Sequence, residues 1–355
     1  MKKEKVLVAM SGGVDSAVCA YLVTKEGMCA EGITMRLWDK NTRLCDSTET
    51  TPDINCTDAE LICHRLGIRH RSIALGDSFR HRVVDKFIFE YINGQTPNPC
   101  VECNKYIKFG ALMDIALSEG FDRLATGHYA RIECVNGNYV IKKALDEKKD
   151  QTYFLWSVKK EFLPHMLFPL GEMTKEDIRE IARKNSFESA NRSDSQDICF
   201  IENGDYAAFI RKETEREFPQ GNFLSLDGNI LGTHTGIINY TVGQRKGLGI
   251  ALGRPVFVGK KDVVNNTVTL CDNSELFSST LTARDVNLLT NVTLTSPMRI
   301  FAKIRYRHTP SSATAQLLPD GRLKIDFDEP QRAITPGQSV VLYDGDVLLG
   351  GGIIE

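Results

Sequence analysis

Apolar and polar positions change period along this chain in a way that divides it into parts. Val6 to Met10 is an unbroken apolar run of strand length, and Ala17 to Lys25 then reads as a helix stopped by Gly27. The alternation continues with a strand over Glu31 to Trp38 and a polar loop from Asp39 to Ile54. The box Thr57-Asp58-Ala59-Glu60 opens a helix that Gly67 ends. Arg69 to Leu75 predicts a third strand, Ser78 to Asn93 a long helix, Asn104 to Glu119 another, and Phe121 to Thr126 a buried strand. Strands alternating with helices predict an α/β fold with a doubly wound parallel sheet, whose ligands bind at the carboxyl ends of the strands. Val135-Asn136-Gly137-Asn138 reads as a hairpin turn, and Thr174-x-x-Asp177 starts a further helix. Past about Cys199 the helical period gives way to glycine-rich β segments from Gly221 to Thr269. From Arg284 the period is two: Leu323, Ile325 and Phe327 share a face, with turns at Pro319-Asp320-Gly321 and Asp344-Gly345. Three units are expected: a doubly wound one over 1–203, a small β-rich central one over 204–282 and a C-terminal β-barrel over 283–355.

A length of 355 residues accommodates two or three cores, and 42% hydrophobic with 25% charged residues excludes a disordered chain. The lysines at the start precede only a five-residue apolar run, too short for a signal-peptide core, and no apolar stretch reaches membrane-spanning length. A cytoplasmic protein that does not contact membrane is expected. Ten cysteines in such a chain point to metal, cluster or catalytic thiol chemistry more than to a disulfide framework. Cys19, Cys29, Cys63, Cys134 and Cys271 nevertheless lie in apolar or strand-like stretches, where cysteine packs as a small hydrophobe. A net charge of -2 does not mark the whole chain as a nucleic-acid binder, so any such surface is local.

Between the first strand and helix stands Ser11-Gly12-Gly13-Val14-Asp15-Ser16. Glycines there let the backbone approach a ligand while N–H groups and the helix N-terminus face negative charge. Neither the lysine-containing phosphate loop nor G-x-G-x-x-G fits the spacing. The string resembles the Ser-Gly-Gly-x-Asp-Ser signature of the PP-loop ATP pyrophosphatases, which implies cleavage of ATP to AMP and pyrophosphate with AMP left on a substrate oxygen. Asp15 would then help hold Mg²⁺ on the pyrophosphate, as hard cations favour carboxylates. An ordinary βα turn is the plainer reading.

The segment Thr96-Pro97-Asn98-Pro99-Cys100-Val101-Glu102-Cys103-Asn104-Lys105 carries two thiols stiffened by two prolines. Both are expected just before a helix, whose dipole, with Lys105 and Lys108, would lower their pKa. A lone C-x-x-C fits a redox pair, two ligands of a cluster, or half a zinc site completed by Cys45, Cys56 or His64. A further thiol, Cys199, ends the polar run Arg192 to Ile198, where Asp194 and Asp197 either orient it or cap a turn. Phe301, Lys303, Arg305 and Arg307 alternate along a predicted strand, so three cations would line one face and track phosphates; a solvated strand face is the plainer reading. Lys142-Lys143, Lys148-Lys149, Arg245-Lys246 and Lys260-Lys261 would extend that patch.

Taken together and in order, SGGVDS, NPCVECNKYIKF, ATGHYAR, KDQTYFL, SQDICFI, YTVGQRKGLGI and TPGQSVVLY resemble the tRNA-specific 2-thiouridylases over almost the whole chain. The resemblance implies adenylation of the C2 oxygen of the wobble uridine of glutamate, glutamine and lysine tRNAs, followed by sulfur transfer. It implies that Cys199 carries sulfur as a persulfide supplied by a donor protein, and that Cys103 releases it, leaving a Cys103–Cys199 disulfide. Ala9, Met10, Ser11, Gly12, Gly13, Val14, Asp15, Ser16, Met35 and Gly127 match nucleotide-binding positions. Asn98, Pro99 and Cys100 match the segment facing the target base, and His128, Lys149, Asp150, Gln151, Arg305, Tyr306 and Gln338 match tRNA contacts. Family members often carry Asp where Cys100 stands. The three thiols Cys100, Cys103 and Cys199 would therefore suit a [4Fe–4S] cluster with one open iron, and the persulfide and cluster routes both remain open. Two other classes fit parts of the chain: a PP-loop ligase that adenylates a small molecule, and a zinc-stapled RNA-binding protein with a degenerate nucleotide loop.

Overall fold

The computed structural model describes residues 3–38, 54–187 and 198–355. Its first seven strands are β1 (Lys5–Ala9), β2 (Cys29–Arg36), β3 (Arg69–Ala74), β4 (Arg123–Ala125), β5 (Ala130–Val135), β6 (Asn138–Lys143) and β7 (Met166–Leu167). Five of them form a parallel sheet in the order β3-β2-β1-β4-β7, with Val6 paired to Ala30 on one side and Arg123 on the other. β1 is apolar throughout its centre because both of its faces are covered. Val6 and Val8 pack under α1 (Val14–Lys25), α2 (Ile54–Leu66) and the helix Lys175–Lys184, whereas Leu7 points to Phe109, Leu112 and Met113 on the opposite side. The doubly wound α/β arrangement is thus present. The expected capping box at Thr57 falls inside α2, which begins at Ile54.

The thiol segment also differs from expectation. Helical turns run over 99–118 with a kink at Phe109 (φ -102, ψ 21), so Cys100 and Cys103 lie within the first turns and not ahead of them. Asn98 caps them by accepting from the Cys100 amide at 3.1 Å, and Pro99 occupies the first turn, where a missing N–H costs nothing. From Cys103 to Ala111 the helix is widened to π geometry. Gly110 permits this: a Cβ there would sit 2.8 Å from the Lys105 carbonyl oxygen.

The central unit consists of β8 (Gly221–Leu224), β9 (Ile230–His234), β10 (Phe257–Asp262) and β11 (Thr267–Cys271), ordered β10-β11-β8-β9 with β11 and β8 parallel. After it come β12 (Phe277–Leu288), β13 (Met298–Lys303), β14 (Ser311–Leu317), β15 (Leu323–Arg332), β16 (Ser339–Asp344) and β17 (Val347–Ile354). Pairing of β12 with both β15 and β17 closes these six into an antiparallel barrel. Leu323, Ile325 and Phe327 all point into its core, as their period predicts.

The β5–β6 hairpin, turned by Asn136 (φ 50) and Gly137 (φ 78), joins the barrel's sheet from outside through Val347 and Lys142. The segment after it docks there too: the Trp156 indole donates to Ser339 Oγ at 3.0 Å, and its ring lies where a Cβ on Gly351 would collide. The row of cations expected along one strand is interrupted. β13 ends at Lys303, which is buried beside Asp150, and Arg305 and Arg307 follow in a bend and turn. Burying Lys303 between Asp150 and the rings of Tyr153 and Tyr306 breaks the alternation.

Candidate active site

Where β1 gives way to α1, Gly12 takes φ +74, a conformation that side chains resist, and Gly13 begins the helix with no side-chain cap. Ser16 organises the turn: its hydroxyl donates to the Gly13 carbonyl at 2.9 Å and accepts from the Ser11 amide at 3.2 Å. Ala9 ends β1, Met10 and Val14 are buried beneath the turn, and Met35 lies near the carboxyl end of β2. At the end of β4, Gly127 passes so close to α1 that a Cβ would sit 2.9 Å from the Asp15 carbonyl carbon. The residues expected to bind nucleotide therefore converge at the carboxyl ends of neighbouring strands, where an α/β sheet takes ligands.

Asp15 Oδ1 accepts from the Tyr129 hydroxyl at 2.8 Å and from Lys175 Nζ at 2.7 Å. Sequence reasoning missed Lys175. It occupies the first turn of its helix, where the macrodipole disfavours a cation, and that misplacement was the available signal. Its side chain is 4% exposed against 33% for Asp15, and its ammonium lies 5.6 Å from the Tyr129 ring centroid.

The thiols gather at a second place, beside a buried cluster against which Met35 and Leu75 also pack. Cys103 is buried in a cluster with Phe79, Phe87 and Ile107, to which Phe200, the neighbour of Cys199, also belongs. Phe200 packs edge-on against Phe79 and Phe87 with centroids 5.7 and 5.5 Å away. Cys103 feels the charge of both Cys199 and Cys100, so the three share one electrostatic environment. Burial pushes the Cys103 thiol up to about 12 and that of Cys199 to about 11, and raises Cys100 as well. The lowered thiol pKa expected from the helix start is thus reversed. Lys108 does pull all three down, but desolvation outweighs it, while Lys105 is turned over the Tyr106 ring. Cys100 and Cys199 still reach solvent.

Lys108 Nζ lies 3.5 Å from His128 Nε2, and His128 Nδ1 lies 2.7 Å from Thr126 Oγ1. An ammonium can only donate, so Nε2 accepts and the ring proton sits on Nδ1. Burial, reinforced by Lys108, lowers the His128 pKa and keeps the ring neutral.

Of the positions expected to contact tRNA, His128 and Asp150 are buried and serve internal contacts: Asp150 accepts from the Thr152 hydroxyl at 2.7 Å and the Ala144 amide at 3.1 Å. Gln151 accepts from the Tyr129 amide, and Lys149 is half-buried beside it. Tyr306 packs tilted against Phe154 with centroids 4.5 Å apart and feels the charge of Cys100, Arg305 donates to the Arg332 carbonyl, and Gln338 donates to the Thr96 carbonyl. The barrel therefore presents Tyr306 and Gln338 to the loop that bears Asn98, Pro99 and Cys100, while Arg305 is turned to Arg332 within the barrel. Among the described residues no group of three or more His, Cys, Asp or Glu is arranged to hold a metal ion, and no helix is long and apolar enough to cross a membrane. Cys45, Asp194, Asp197 and the side chain of Cys56 lie outside the described residues.

Three family models match in succession: a tRNA methyl transferase HUP domain over residues 4–203, a tRNA methyl transferase PRC-barrel domain over 207–272 and an aminomethyltransferase beta-barrel domain over 278–354. The tRNA-specific 2-thiouridylase MnmA of Acetivibrio thermocellus is 46% identical over 364 aligned residues, covering 100% of both chains. Its namesake in Clostridioides difficile is 45% identical over 359 residues, covering 99% of this chain and 98% of that one.

Proposed function

The chain belongs to the tRNA-specific 2-thiouridylases, and from that premise we propose that it replaces the C2 oxygen of the wobble uridine (position 34) of tRNA with sulfur at the expense of ATP. The C2 oxygen attacks the α-phosphorus and pyrophosphate leaves. A persulfide on Cys199 then attacks C2, the C–O bond breaks and AMP departs. Cys103 finally attacks the Cys199 sulfur, forming a Cys103–Cys199 disulfide, releasing 2-thiouridine and leaving the pair to be reduced by an external thiol.

The turn Ser11 to Ser16 holds the nucleotide phosphates, and the Asp15 carboxylate fits a Mg²⁺ ion because its Oδ2 has no partner among the described residues while the side chain opens to solvent. Such an ion, held by Asp15, would supply positive charge to the pyrophosphate leaving group. Asn98, Pro99 and Cys100 face the flipped base, with Arg305, Tyr306 and Gln338 on its RNA side. A persulfide-carrying protein supplies the sulfur in the cytoplasm, and the acceptors are glutamate, glutamine and lysine tRNAs.

The observation that carries this reading is the common environment of Cys103 and Cys199 beside the Cys100 loop. Its test is incubation of the protein with ATP, Mg²⁺, a persulfide donor and unmodified glutamate tRNA. The wild type should form 2-thiouridine, whereas Cys103→Ser and Cys199→Ser should bind ATP and tRNA yet form none; product from either variant refutes the assignment.

The presence of Cys100 in the same environment favours a second route, a [4Fe–4S] cluster on Cys100, Cys103 and Cys199, for which the three sulfurs would have to draw closer than they stand. Anaerobically purified protein would then contain iron and sulfide and lose both in Cys100→Ser; an active, iron-free enzyme rejects it.

A further inference from the structure

Resting on the tRNA reading above, we infer that Arg332 and Arg305 together form a phosphate-binding site for the RNA backbone, at the seam where the barrel meets the central unit.

The site is built outward from Arg332, the last residue of β15, whose guanidinium leaves the barrel and lies against the central unit. Its Nε donates to Asn273 Oδ1 at 2.9 Å, its Nη2 donates to the Gly243 carbonyl at 3.5 Å, and the group covers the Phe257 ring 5.0 Å from the centroid. Gly243 makes room for this contact: it has φ +84, and a Cβ on it would come within 2.7 Å of the Ala333 Cβ. Arg305 approaches from the bend after β13 and donates through Nη1 to the Arg332 carbonyl at 3.0 Å.

All of these partners are neutral. Asp272, next to Asn273, pairs with Arg254, and Asp328 pairs with Arg299; among the described residues neither Arg305 nor Arg332 is in ion-pair contact with a carboxylate. Burial and the neighbouring Arg332 both disfavour the charge on Arg305, yet a guanidinium does not give up its proton, so the seam carries two uncompensated positive charges. Donors are left over too. Nη1 of Arg332 and both Nε and Nη2 of Arg305 donate to nothing among the described residues, and both residues are only half-buried. A single arginine so placed could be a structural brace. Two side by side repel each other, and a phosphate between them turns that repulsion into attraction while using the idle donors.

Position favours the RNA backbone over other phosphates. Tyr306, the residue after Arg305, lies near enough to Cys100 to feel its charge. A strand that presents a base at Cys100 would pass its sugar–phosphate chain over Arg305 and Arg332 a short way from that base. Such a contact fixes register and carries no base preference.

The test is equilibrium binding of unmodified glutamate tRNA as a function of salt. At about 0.1 M salt Arg332→Gln should bind about tenfold more weakly, and the slope of log K against log salt should fall by about 0.7 to 0.9. Arg332→Lys, which keeps the charge without the fork, should keep the slope. Weaker binding of Arg332→Gln with an unchanged slope would mean that the residue only braces the seam, and overturns the inference. Its ATP affinity should equal that of the wild type; a loss matching the loss for tRNA would give the arginines to the nucleotide and overturn the inference as well.

If Arg332→Gln does not fold, tRNA carrying single methylphosphonates in the anticodon arm serves. At one position, neutralising the phosphate should cost about tenfold in the wild type and less than about threefold in Arg305→Gln. Equal costs in the two proteins at every position overturn the inference. Failure of the wild type to bind tRNA at all would count against the functional reading instead, so the two failures are distinguishable.

Discussion

Gln338 Nε2 donates to the Thr96 carbonyl at 2.7 Å, and the Thr96 amide donates back to the Pro336 carbonyl at 2.8 Å. The loop leading into the thiol helix is therefore held by the barrel. On the proposed function, RNA contact on the barrel and sulfur chemistry on the helix would share one mechanical joint.

Gly337 is the tightest point of that joint. It has φ +89, and a Cβ on it would meet the Thr96 nitrogen at 2.8 Å. Gly337→Ala should cost about 1–3 kcal/mol through strain and collision, against roughly 1 kcal/mol for Gln338→Ala, which loses one hydrogen bond. Denaturant midpoints measure both. ATP binding should survive in each while thiolation falls, and equal loss of both activities would show that the joint does not act locally.

Gly127 should tolerate no side chain. A Cβ would sit 3.1 Å from that of Asp15 and closer still to its backbone, pushing the first turn of α1 off the sheet. Gly127→Ala should lower ATP affinity about tenfold or more while leaving tRNA affinity near wild type, measured by separate equilibrium titrations. Unchanged ATP affinity would mean the turn has slack that the contacts do not suggest.

The thiols should be dormant at neutral pH in the resting protein. Cys199 holds its proton to about 11 and Cys103 to about 12, above the value of 9.0 for an ordinary thiol. Alkylation of Cys199 by iodoacetamide at pH 8, followed by mass spectrometry, should be at least about tenfold slower than that of a small thiol and should accelerate towards pH 11. Stability follows the same sign. The unfolded chain releases these protons near pH 9 and the folded one does not, so stability is full below that pH and declines from about 9 to 12. A Cys103→Ser, Cys199→Ser double variant should show a shallower decline.

Arg305→Ala with Arg307→Ala should weaken tRNA binding and reduce the slope of its salt dependence by about 1 to 2, since each phosphate contact contributes roughly one unit. An unaltered slope would move the RNA track elsewhere on the barrel.

The periodicities made most of this architecture legible. Alternation between helical and extended stretches identified the doubly wound sheet, and the period of two around Leu323 identified the barrel, because in both cases burial of a face is written into local order. What escaped was non-local. The helix start at Asn98 is the exception, since Asn before Pro is a local capping signal that the reading of the two prolines as loop stiffeners passed over. The cation row failed at Lys303 because its partner, Asp150, is remote in sequence. Lys175 and the buried state of His128 were hidden for the same reason: their meaning depends on Asp15 and Lys108, which the fold brings in from elsewhere.

The β5–β6 hairpin has its own consequence for biosynthesis. The ribosome releases this hairpin long before the barrel strand that covers its edge, so the nascent chain passes through a stage with an open, sticky β rim. A truncated polypeptide ending near residue 203 would keep that rim permanently. It should aggregate or depend on chaperones, whereas the full-length chain covers the β6 side of it where Val347 pairs with Lys142.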